Sequence, residues 1–83
     1  MKKLLGQIVA IKWRDIHGVS EWKNKNEAID WAKNAYSTEC TTRGKLIYIH
    51  KDFIVICSTD ATDGDYNDIS MILRSVIIEV KPI

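Results

Sequence analysis

The sequence predicts an α+β fold: a small, strongly bent antiparallel sheet or SH3-like barrel of about four or five strands, with one amphipathic helix inserted after strand one. Three observations carry this. Strand-length runs rich in β-branched residues stand near the start, in the middle and at the end, separated by turn residues. Only one stretch, residues 26–36, repeats its apolar side chains at helical spacing. The 83 residues contain no repeat, low-complexity tract or linker, so positions 1–83 form a single domain.

Leu4 to Arg14 reads as the first strand. Gln7, Val9, Ile11 and Trp13 fall on one side, Ile8, Ala10, Lys12 and Arg14 on the other, and the first set is the better core face. Asp15 to Gly18 ends it with turn chemistry. Asn26 to Tyr36 reads as the helix, with Asn26 as its cap, Glu27 and Asp30 early and Lys33 late, each suited to the helix dipole. Its apolar arc of Ala28, Ile29, Trp31, Ala32, Ala35 and Tyr36 is expected to cover one face of the sheet.

Leu46 to Ser58 reads as a hairpin with Lys51-Asp52 at its tip. That tip puts Ile47 and Ile49 on a face with Ile54 and Ile56, and Leu46, Tyr48 and His50 on the other with Phe53, Val55 and Cys57. Both faces are apolar, whereas a hairpin wetted on one side alternates with polar residues. Cover from the helix or from a second subunit is therefore expected. Gly44 suits a bend ahead of the hairpin. Asp68 to Leu73 is read as one helical turn, capped by Asp68 or Ser70, and Val76 to Val80 as the last strand, ended by Pro82.

A chain this short buries only about 60% of its unfolded surface, so its core is marginal. Two cysteines without a leader ahead of them do not make a secreted disulfide framework. The longest uncharged stretches, Leu4 to Ile11 and Phe53 to Thr59, are too short to span a bilayer, so no membrane partner is expected. The formal net charge is +1, against a dedicated duplex-DNA binder. Residues 1–58 hold ten bases and six acids, while residues 59–83 hold two bases and five acids. The acids Asp60, Asp63, Asp65 and Asp68 read as a solvated loop. Asp63, Asp65 and Asn67 have calcium-loop spacing, but Asp68 stands where that motif needs glycine.

No constellation for catalysis emerges. Cys40 or Cys57 with His17 or His50 are the only nucleophile–base parts, and Cys57 reads as a small buried hydrophobe. No ligand pair has metal-site spacing and the four glycines are scattered, so neither a metal, a cofactor nor an enzyme is expected. The aromatic residues are more informative. Trp31 belongs to the helix's apolar arc, whereas Trp13 ends a strand beside Arg14 and Asp15, and Trp22 precedes the helix. Rings next to an arginine at a strand end can stack a base and hold a phosphate. The competing reading has Trp13 plugging the end of a barrel and Trp22 stapling the helix. Lys12, Arg14, Lys23, Lys25 and Arg43 add positive charge, and Tyr66 is placed to close over a pocket. The candidate ligand residues are thus Trp13, Arg14, Asp15, Trp22, Arg43 and Tyr66.

Taken together, Ile11–Asp15 (Ile-Lys-Trp-Arg-Asp), Trp22, the glycine-led hairpin from Gly44, Tyr66 in an acidic segment and the closing run Ile72–Val80 resemble a class of short phage-encoded proteins, mostly unassigned. The tail is similar to SH3-like and Sm-like small barrels, which bears on architecture rather than activity. The resemblance implies a protein made in a bacterial host's cytoplasm that acts by binding. The expectation is a non-enzymatic homo-oligomer that counters host defence by sequestering a nucleotide-derived signal. An inhibitor docking onto a host protein is the alternative, and an RNA-binding small barrel the third.

Overall fold

The computed structural model describes all 83 residues and has one helix and a five-stranded antiparallel sheet. In chain order these are β1 (Ile8–Trp13), α1 (Lys25–Tyr36), β2 (Cys40–Ile49), β3 (Phe53–Asp60), β4 (Tyr66–Leu73) and β5 (Ile77–Pro82). Single 3-10 turns precede β1 (Lys2–Leu4) and link β4 to β5 (Arg74–Val76). The strand order is β4-β3-β2-β1-β5, and β4 and β5 are free edges, so the sheet curls without closing into a barrel.

The inner face holds the core: Val9, Ile11, Leu46, Ile54, Ile56 and Ile72, with Leu4, Trp13, Ile49, Val76, Ile77 and Val80 packed around it. Val9, Ile11 and Trp13 thus lie on the face the alternation predicts. The first strand itself is shorter than predicted, because Leu4 belongs to the 3-10 turn and Gly6 adopts a positive φ of 84° ahead of it.

The hairpin turns at Lys51-Asp52, where the His50 amide donates to the Phe53 carbonyl at 2.8 Å. Its faces differ from the expectation. Leu46 pairs with Ile56 and Tyr48 with Val55, so Ile47 is an extra bulged residue. The bulge shifts the period by one and turns Leu46, not Ile47, into the core beside Ile54 and Ile56. Gly44 serves a close approach: a Cβ there would lie 2.6 Å from the Cys57 carbonyl oxygen.

Residues 66–73 form a strand where a loop and a helical turn are predicted. Ala61 and Gly64 close a turn (Gly64 N–H to the Ala61 carbonyl, 3.1 Å), and Gly64 takes φ 97°. This is a hairpin loop of a type I turn followed by a left-handed glycine. The helical turn falls later, at Arg74–Val76. The last strand begins one residue later than predicted and runs on past Val80 to end at Pro82, which lies opposite Val9 on a free edge, where its missing N–H costs no ladder bond.

Asn24, not Asn26, caps α1. Its carboxamide oxygen accepts from the Glu27 amide at 2.9 Å, and the Glu27 carboxylate accepts in return from the Asn24 amide. The helix does not cover the sheet, since none of its residues is buried. It projects as an arm, giving a molecule 54 × 22 × 22 Å with a radius of gyration of 16.2 Å, against about 12 Å for a compact chain of this length. No helix is long and apolar enough to cross a membrane.

Candidate functional site

The inner face opens where β1 ends. Ile11, Trp13 and Thr42 come from paired strands, and the Trp13 indole N–H donates to the Thr42 hydroxyl at 2.8 Å. This satisfies the buried edge of the ring and fixes its plane. Across from it lies the last part of β4. Between them is a cleft of about 420 Å³ lined by Trp13, Arg14, Asp15, Ile16, Thr42, Val76 and the β4 residues Ser70 to Leu73. The cleft is the seam of a sheet that curls but does not close.

Arg14 and Asp15 form the rim, and both are partly committed. Arg14 Nε donates to the Tyr36 carbonyl at 2.9 Å, its guanidinium lies 4.4 Å from the centre of the Tyr36 ring, and it approaches Glu39 at 3.6 Å. Glu39 also approaches Lys12 at 3.9 Å. Arg14 therefore anchors the C-terminal end of the helical arm to β1. The Asp15 carboxylate accepts from the Ile16 amide at 2.8 Å and is otherwise solvent-facing.

Three of the six predicted ligand residues thus share one cleft, and the structure does not bring the other three to it. Trp22 is fully exposed, beside Val19, Lys23, Ala28 and Trp31 on the helical arm. Arg43 lies opposite Ala10 and borders a shallow groove with Ile8, Lys45 and Asp60. Tyr66 opens β4 opposite Asp60, four residues or about 13 Å of strand before Ser70, the first β4 residue of the cleft. Sequence reasoning missed Thr42, Val76 and the β4 wall. The Asp63-Gly64 pair followed by the alternating Ile69, Met71 and Leu73 is the signal that could have found that wall.

Several polar and ionisable side chains outside the cleft have structural partners. His50 stacks on Phe53 at 4.4 Å, and its Nδ1 accepts from the Asp52 amide at 3.1 Å. Lys45 donates to Asp60 at 3.2 Å, and that hydrogen bond, with the attraction of the carboxylate, raises its pKa above the usual lysine value. Both cysteines are free thiols, Cys57 buried and Cys40 half-buried. No three His, Cys, Asp or Glu side chains converge as a metal site would require. No protein-family model, curated protein or solved structure matches the chain.

Proposed function

We propose that this chain is a non-catalytic binding protein whose small-molecule site is the Trp13 cleft, and that its ligand is a nucleotide-derived signal held by the base end. The observation that carries the reading is the cleft itself, in which an oriented indole, a carboxylate and a guanidinium meet an apolar wall. Its volume falls within the range of small-ligand sites, which are mostly apolar with a few placed polar groups. Trp13 supplies the stacking surface, and Asp15 accepts from base or ribose donors. Arg14 is the single cation on the rim and is already shared with Tyr36 and Glu39. In the phage setting that the sequence resemblance implies, such capture counters a defence signal.

Thermal shift against cyclic dinucleotides and ADP-ribose derivatives tests this. A ligand at a thousand times its dissociation constant stabilises by about 4 kcal/mol, a rise in Tm of roughly 15–30 °C for a domain of this size. Trp13→Ala is expected to abolish the shift. No response across the panel removes the reading.

A second reading, docking onto a host protein, is favoured by the helical arm, which carries a fully exposed Trp22 and buries none of its residues. Exposed tryptophans are frequent interface anchors. A single stoichiometric host protein retained from bacterial lysate, and lost with Trp22→Ala, supports it over the first.

A further inference from the structure

We propose that β4 is a dimerisation edge. Two copies of this chain pair their β4 strands antiparallel about a two-fold axis, and each partner closes the open side of the other's Trp13 cleft. Only the closing of the cleft rests on the ligand reading; the pairing stands on its own observations.

The two free edges of the sheet are built differently. On β5, Glu79 and Lys81 neutralise each other at 2.9 Å, and Pro82 removes a donor. Charge and proline are the usual guards of an exposed edge. The run Ile69–Leu73 on β4 has no charged residue and no proline. Its outward side chains Ile69, Met71 and Leu73 are 58, 58 and 45% exposed, and they continue an apolar face through Cys57, Val55 and Phe53, their partners on β3. This is an unguarded edge.

Charge selects the occupant. Asp63, Asp65 and Asp68 stand at the start of β4, and Arg74 follows its end directly. Antiparallel pairing with a second copy sets each acidic end against a basic one, whereas parallel pairing sets like against like. The register centred on Met71 places Ile69 opposite the partner's Leu73, Ser70 opposite the partner's Ile72 and Asp68 opposite the partner's Arg74. By symmetry the ion pair forms twice. Asp68 has φ 53°, so the straight run of the strand begins just after it.

Sedimentation of the full chain over a concentration series is the test, and a dimer is expected. Met71→Lys sets two ammonium groups against each other on the axis and should weaken dimerisation at least about 100-fold. Asp68→Lys and Arg74→Glu should each weaken it, and the double exchange should restore it, which a mere loss of folding cannot mimic. A monomer throughout the series overturns the pairing. So does a dimer indifferent to Met71→Lys, or a double exchange that fails to recover. The nucleotide panel is run separately on the dimer and on the Arg74→Glu monomer. A ligand bound equally by both overturns the shared cleft. An unresponsive panel with the dimer intact removes the ligand and leaves the pairing standing.

Discussion

The two faces of the β2–β3–β4 ribbon are made of the same kinds of residue and have opposite fates. On the inner face Leu46, Ile54, Ile56 and Ile72 are buried. On the outer face Tyr48, Ile69, Met71 and Leu73 stand about half exposed, Met71 and Leu73 one step along the strand from the buried Ile72. Composition does not distinguish them. Curvature does: the sheet wraps its concave side around Val9 and Ile11, while the helix that could have covered the convex side points away. Only eight of the 83 residues are buried, so the molecule depends heavily on that one enclosed face.

Ile54→Ala breaks the contrast most severely. Emptying the core there should cost about 2–5 kcal/mol, read as a lower urea midpoint. Met71→Ala on the outer face should change the stability of the dilute monomer by no more than about 0.5 kcal/mol. Equal losses at the two positions would mean that the outer face is covered within the subunit.

Gly44→Ala attacks the curvature itself. The added Cβ meets the Cys57 carbonyl oxygen at 2.6 Å in backbone that cannot easily yield, and a loss of about 1–3 kcal/mol is expected. Amide exchange should accelerate first along the junction of β2 and β3.

Asn24→Ala separates the arm from the sheet. Losing the cap costs about 1 kcal/mol of helix stability. Because α1 buries nothing, helical circular dichroism should weaken while the urea midpoint of the sheet holds. A midpoint that falls in step would show that the arm and the sheet fold as one unit.

The smallest effect is the pH dependence contributed by Lys45. Its pKa is raised in the folded state by the hydrogen bond to Asp60 and the attraction of its carboxylate. The stabilisation is therefore full below the ordinary lysine pKa of 10.5 and is lost as pH rises through the higher folded value. Paired urea melts of the native chain and Asp60→Asn should differ slightly at neutral pH and converge above that point.

Much of this was legible locally. The helix announces itself through its spacing, although two asparagines compete for the cap, and only Asn24 stands three residues before a glutamate that can answer it. The Lys51-Asp52 tip is legible because two apolar runs leave no other place to turn. β4 was hidden because its acidic start reads as loop and its alternating apolar residues fit a short helix as well as a strand. The bulge at Ile47 left no mark in the sequence at all, yet it decides which isoleucines face inward. For the candidate site, Trp13, Arg14 and Asp15 were found together because they are neighbours in the chain. Thr42 and the β4 wall were not, because pairing brings them there from 29 and more residues away.

By itself the sequence determined the kinds of element, most of their order, the two-sided greasiness of the central ribbon and the aromatic end of the first strand. These follow from period, turn chemistry and composition, all of which act over a few residues. The tertiary structure alone decided which side of the ribbon is enclosed, that the helix stands away from the sheet, and that one edge is guarded while the other is bare. Those outcomes depend on register and curvature, which are set by contacts between residues far apart in the chain.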